Sequence, residues 1–163
     1  MPAIIEKRVC AEIEGPFVLF LIGARINRPW KIGLVSRFLR TMPAMLKELA
    51  AQPELGLLHA RSHFGFTDVM VVQYWRSFEH LEAYARSPER EHLPAWRWFN
   101  GKVGSNGDIG IWHETFLIEP GHYETVYNNM PPYGLGAAGK LVDAVGARAA
   151  ARERIKATEK TLA

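Results

Sequence analysis

Three stretches of the chain gather side chains that can do chemistry. In Gly110-Ile111-Trp112-His113-Glu114-Thr115-Phe116, strand alternation places His113 on one face with Ile109, Ile111, Thr115 and Leu117, and Trp112, Glu114 and Phe116 on the other. An imidazole among apolar neighbours is partly desolvated, which disfavours its charged form. That suits a general base near neutrality or a haem axial ligand. A histidine bonded across the sheet for purely structural reasons fits the same pattern. The second stretch runs from Gln73-Tyr74-Trp75-Arg76 to His92-Leu93-Pro94-Ala95-Trp96-Arg97. If residues 91–100 are helical, His92, Trp96 and Phe99 share a face, because separations of four and seven match the helical period. His92 then points to the core or to a pocket, and Tyr74, Trp96, Phe99 and Trp112 are candidates to line it. The third stretch is Arg25-Ile26-Asn27-Arg28-Pro29-Trp30, where Arg25 and Asn27 at a strand exit could orient an anionic or carbonyl substrate or could simply solvate a turn.

Other chemistries lack their signatures. The chain carries no glycine-rich phosphate loop, no Gly-x-Ser-x-Gly elbow, no His-Glu-x-x-His pair and no dinucleotide fingerprint. His59 and His63 fall four apart, but on a strand that separates them by ~13 Å, too far to share a metal. The single cysteine, Cys10, excludes an intramolecular disulfide and a multi-cysteine metal site, and is consistent with a reducing cytoplasm.

The elements that must position these residues can be read from turn signals and periodicity. After a leader with Ile4, Ile5 and Val9, Gly15-Pro16 precedes a strand over Phe17 to Ile26. Leu34, Phe38, Met42, Met45, Leu46 and Leu49 follow at helical spacing, with Pro43 expected to split them into two helices and Thr41 to cap the second. Leu57 to Phe64 and Val69 to Trp75 read as a hairpin, and Phe78, Leu81, Tyr84 and Ala85 as a helix whose capping box at Ser77 is incomplete because His80 stands where Glu is usual. The helical stripe resumes after Pro88 and Pro94. Ile109 to Ile118 is the next strand, Tyr123 to Tyr127 a short extra one, and a Pro/Gly-rich loop leads to a C-terminal Ala/Arg helix.

The order strand, helix, strand, strand, helix, strand is that of an α+β, ferredoxin-like split βαβ domain. One domain over residues 1–163 is expected, with a core of about 17–120 and a C-terminal helical extension over 121–163. The first core strand is apolar on both faces, while helices of this order cover one face only, so a homodimer closing sheet on sheet is expected. The segments after residue 121 are free to latch that neighbour or to fold back on their own sheet.

Composition narrows the partners. The chain has 163 residues, 48% of them hydrophobic and 11% aromatic, enough for a sizeable core. Its net charge of +3 arises entirely from residues 137–163, leaving the body at 14 basic against 14 acidic side chains. A neutral body with one basic helix lacks the cationic face that nucleic acid requires. The longest apolar run, Phe17 to Ile22, is too short for a membrane span, so neither nucleic acid nor membrane is an expected partner.

Gln73-Tyr74-Trp75-Arg76-Ser77-Phe78-Glu79-His80-Leu81-Glu82-Ala83-Tyr84-Ala85, His92-Leu93-Pro94-Ala95-Trp96 and Ile111-Trp112-His113-Glu114-Thr115 together resemble a monooxygenase-like family of bacteria and fungi, related to antibiotic-biosynthesis monooxygenases. Phe20-Leu21-Ile22-Gly23-Ala24-Arg25-Ile26-Asn27 and Tyr123 to Pro131 extend the likeness over about residues 17–136. The resemblance implies a dimeric α+β barrel. It also implies either a small-molecule monooxygenase or related oxidoreductase acting on a hydrophobic substrate, or a barrel that binds haem or another apolar ligand. His113 and His92 are then the expected acid/base groups, or, if haem is present, one of them its axial ligand; otherwise no cofactor is needed. A structural module using the basic C-terminal helix is a third possibility.

Overall fold

The computed structural model describes residues 2–159. Its strands and helices follow in the order β1 (Ile5–Glu12), β2 (Phe17–Ile26), α1 (Ile32–Ala51), β3 (Leu57–Phe64), β4 (Asp68–Trp75), α2 (Phe78–Arg86), α3 (His92–Lys102), β5 (Ile109–Ile118), β6 (Tyr127–Met130), α4 (Leu135–Ala138), β7 (Lys140–Asp143) and α5 (Ala151–Glu159). Four strands form an antiparallel sheet in the order β3-β4-β2-β5, the ferredoxin-like arrangement expected from the element order. β2, the most apolar strand, lies inside the sheet, where both of its edges are hydrogen-bonded.

Cross-strand partners point to the same face, so the register sorts the side chains. Val18 stands opposite Trp75 and Ile22 opposite both Val71 and His113. This is the helix-facing side, where Val18 and Trp75 pack with Met45 and Leu49 of α1 and Leu81 and Tyr84 of α2. At the other end of the same face, Ala24 and Ile109 pack with Phe99 and Val103 of α3. Trp75 is 1% exposed, and its indole N–H donates to Gln73 Oε1 at 2.8 Å, so the buried polar pair satisfies itself.

Pro43 does not split α1, which continues through it. The proline removes one backbone donor, whose partner would be the carbonyl of Leu39, and Leu39 lies on the exposed side of the helix. Met45 and Leu49, both buried beyond the proline, hold the second half in line. Thr41 is therefore inside the helix rather than at a cap, and its hydroxyl donates back to Phe38 O at 2.7 Å. Ser77 does cap α2: its oxygen accepts from His80 N at 3.4 Å and meets His80 Nδ1 at 2.9 Å, so the histidine takes the place of the usual glutamate.

The ends of the chain depart most from expectation. The extra strand lies at Tyr127–Met130, not at Tyr123 to Tyr127, the expected Pro/Gly-rich loop contains α4, and the Ala/Arg tail after it is divided into β7 and the helix α5. The last residues expected in that helix, 160–163, lie outside the described residues. β6 and β7 pair with the two edges of β1 to make a second antiparallel sheet, order β6-β1-β7. This sheet lies over one end of the other face of the main sheet, where Ala11, Ile13 and Leu135 bury Phe17, with Tyr74 and Ile118 packed against them. The described residues after 121 thus fold back on their own chain. The leader strand β1 offers two edges, which β6 and β7 fill among the described residues, so the return of the chain satisfies its backbone.

Candidate functional site

β5 is the outer strand of the main sheet next to β2, and the register sets His113 beside Ile22 on the helix-facing side. The His113 ring lies 5.6 Å from that of Phe20, tilted by 39°. α1 and α2 pack over Val18 and Trp75, and α3 reaches the sheet at Ala24 and Ile109, so none of these clusters covers the middle of β5. His113 is consequently exposed, together with Thr115 and Leu117. The imidazole is thus exposed rather than covered by apolar neighbours as expected, because no helix packs over this part of β5.

α3 supplies the rest of this side. Trp96 stacks on Phe99 with centroids 5.9 Å apart and planes 9° from parallel, the buried Phe99 anchoring the exposed indole. At the start of the helix His92 is half-buried beside Tyr84. Its Nδ1 faces the carbonyl of Ala85 at 2.9 Å. A carbonyl can only accept, so the proton sits on Nδ1, leaving Nε2 with a free lone pair in the neutral ring.

Tyr74 and Trp112 belong to the opposite face. The Trp112 indole lies against Gly23, where a Cβ would come within 2.5 Å of its Cε2. Glycine is needed there for that close approach. Tyr74 packs on Phe17, and its hydroxyl lies against the turn at Gly134. Burial pushes its phenol up from the ordinary range. Arg25 is exposed at the far end of β2, and Asn27 N donates to Asp108 O at 3.0 Å as the chain leaves the sheet. The residues expected to line one pocket therefore divide among the helix side, the opposite face and one end of the sheet. Of these, His113, His92, Trp96 and Phe99 share the helix side.

Two polar clusters were not anticipated. Asp108 is buried, with Lys31 Nζ at 2.6 Å and Arg28 Nη1 at 2.9 Å. Hydrogen bonding from Lys31 holds its carboxyl below the usual range, with Arg28 adding to the effect. The basic loop after β2 is thus tied down by a carboxylate 80 residues away in sequence. The second cluster lies on the open face of β3, where His59, Arg61 and His63 alternate toward the same side. Arg61 stacks on the Tyr133 ring at 4.2 Å, and His63 meets that ring edge-on at 6.5 Å. His59 Nε2 is buried with no hydrogen-bond partner among the described residues, and burial, then Arg61, lowers its pKa. The period-two spacing of these three residues was visible in the sequence; what covers them was not. Among the described residues no group of three or more His, Cys, Asp or Glu side chains could hold a metal ion. Burial raises the pKa of the Cys10 thiol.

A family model described as Monooxygenase af470-like matches residues 17–135. Among curated proteins, monooxygenase af470 of Aspergillus fumigatus is 28% identical over 134 residues, covering 76% of this chain and 46% of that protein. The chain thus spans about half the length of this relative. Among solved structures, an aldoxime dehydratase in complex with butyraldoxime superposes with a TM-score of 0.63 at 14% identity, over 99% of this chain and 44% of the other. At that identity the likeness is one of fold.

Proposed function

Because the chain belongs to the Monooxygenase af470-like family, we propose that it is a small-molecule monooxygenase or related oxidoreductase, acting in the cytoplasm on a hydrophobic substrate held on the helix side of the sheet. The observation that carries the site is His113 against Phe20 on an uncovered lane of β5. Phe20 offers the substrate an apolar surface, and the stacked Trp96 and Phe99 of α3 bound the same side. His113 acts as the base: its lone pair takes a proton from an acidic C–H or O–H of the substrate, the anion adds molecular oxygen and takes the proton back as a hydroperoxide, and loss of water from it leaves one oxygen atom in the substrate as a carbonyl. A second copy of the chain packs on the open face and completes the barrel.

The test is His113→Ala, assayed for turnover of hydrophobic phenols and related substrates and for thermal stability. A rate lower by roughly 10²–10⁴-fold with an unchanged melting temperature supports the base. An equal loss of stability and activity assigns His113 a structural role.

One observation favours a second reading, in which the protein holds haem. His92 has its Nδ1 proton committed to the Ala85 carbonyl, which is the outer-shell bond that orients a ligating imidazole. His92 would then hold the iron through Nε2, and haem would supply the oxygen or substrate activation. A Soret band in the purified protein that vanishes in His92→Ala supports this reading, while a colourless protein that takes up no added haemin rejects it.

A further inference from the structure

Four large apolar side chains stand in water at one end of the molecule. Phe66 is 104% exposed, Phe64 79%, Ile32 74% and Trp30 69%. They come from two stretches of chain: the turn between β3 and β4, and the loop from β2 into α1. The fold joins these stretches directly. Ile26 N donates to Thr67 O at 2.8 Å, and Arg25 stands opposite Asp68 in the ladder. Phe64 alternates with Ser62 and Ala60 to the helix-facing side of β3, and Ile32 opens a helix that packs on that side. Phe64 therefore lies on the side away from the open face on which a second copy is proposed to pack, whereas Arg25 alternates with Gly23 toward that face.

Cations border this tip. Arg25 is exposed, and Arg28 and Lys31 remain partly exposed while pinned by the buried Asp108 at 2.9 and 2.6 Å. Lys102, at the end of α3, borders the turn that leads into Asp108, since its carbonyl accepts from Asn106 Nδ2 at 3.4 Å. The facing carboxylates are that same Asp108 and Asp68, the latter receiving the Thr67 hydroxyl at 2.8 Å. Cations outnumber carboxylates, and the carboxylate of Asp108 is buried.

A side chain as exposed as Phe66 sits on an apex, clear of the other described residues. A convex apex of Phe and Trp bordered by Arg and Lys matches a bilayer surface, where aromatic rings settle among headgroups and basic groups meet anionic lipid. We propose that this tip docks the protein on an anionic lipid surface, Phe66, Phe64 and Trp30 entering the headgroup region and Arg28 and Lys31 facing lipid phosphates. The contact is peripheral, since no described helix is long and apolar enough to cross a membrane. It departs from the sequence expectation of no membrane partner, which weighed a spanning segment only. The proposal is independent of the site around His113.

The experiment is flotation of the full chain with vesicles of phosphatidylcholine alone and of phosphatidylcholine mixed with phosphatidylglycerol, repeated with the triple variant Trp30→Ser, Phe64→Ser, Phe66→Ser. All three side chains are exposed, so the variant should keep the wild-type circular dichroism spectrum, and this is checked. The expected result is binding to the mixed vesicles that weakens at high salt and falls roughly tenfold or more in the variant. Equal binding to neutral vesicles overturns the anionic-surface assignment, and wild-type binding by the variant overturns the role of the tip. Absence of vesicle binding, with the variant instead losing self-association in light scattering, overturns the proposal in favour of a second copy as the occupant.

Discussion

Trp75 shows how much of the fold depends on one side chain. It is the largest fully buried residue, packed between β2 and the two helices, and it also satisfies the buried Gln73. Trp75→Ala should lower unfolding free energy by about 3–5 kcal/mol in urea titrations, through cavity formation and an orphaned amide oxygen. Two buried titratable groups give stability opposite reasons to fall on acidification. His59 has a folded pKa below its unfolded value, chiefly from burial, so the unfolded chain binds the proton more readily. Its contribution is present above about pH 6.5 and declines as pH falls through the folded value. His59→Phe should flatten the urea midpoint in that window. Asp108 is the converse in charge but the same in sign: its carboxylate is favoured in the fold by Lys31 and Arg28. Its contribution is present above about pH 4 and is lost as pH drops through the depressed folded value, a loss that Asp108→Asn should remove from the pH profile.

At the scale of elements, the second sheet is held by a few side chains that reach across long sequence separations. Arg154 of α5 is buried; its Nε donates to Glu124 at 2.7 Å and its Nη1 to the carbonyls of Ala149 at 2.7 Å and Arg148 at 3.1 Å. Arg154→Ala should destabilise by about 1–3 kcal/mol per partner left unsatisfied and should speed proteolysis behind residue 144, measurable by limited trypsin digestion. The turn into α4 depends on Gly134, whose φ of 55° and ψ of −127° favour glycine and whose missing Cβ leaves room for the Tyr74 hydroxyl, 3.2 Å from where it would stand. Gly134→Ala should cost about 1–3 kcal/mol, and the loss should appear in melting temperature. Because residues 121–159 cover Phe17, Tyr74 and Ile118, removing them should impair folding itself rather than detach a neighbour.

For the whole molecule, the question is what meets the remainder of the open face. The second sheet covers one end, while Trp112 and Phe116 on β5 stay exposed opposite Gly23 and Leu19, flanking Glu114 opposite Leu21. An apolar face of this kind on a sheet is a site of association, and a second copy laid face to face buries it. Light scattering at micromolar concentration should report twice the mass of the chain, and Phe116→Glu should shift it toward monomer by on the order of tenfold or more in dissociation constant. A monomer at that concentration removes the barrel and leaves the open face uncovered, while His113, on the helix side, keeps its surroundings.

The sequence by itself determined the local elements. Phe17 to Ile26 and Ile109 to Ile118 are strands with the expected bounds, and the hairpin, α2 and α3 lie where turn residues and periodicity put them. Those signals are local: alternation, helical spacing, and Gly or Pro at the breaks. The order of elements was then enough for the ferredoxin-like sheet, because short un-knotted connections leave few alternatives. Only the tertiary structure decided the rest. β7 is four residues long and exists because β1 pairs with it from more than a hundred residues away, which no local pattern encodes. The site divided for a related reason. His113 and Trp112 are neighbours in sequence yet lie on opposite sides of the sheet, and what is covered depends on where α1, α2 and α3 pack on one side and where α4 folds back against β3 on the other, long-range outcomes that left His113 open and buried His59 Nε2.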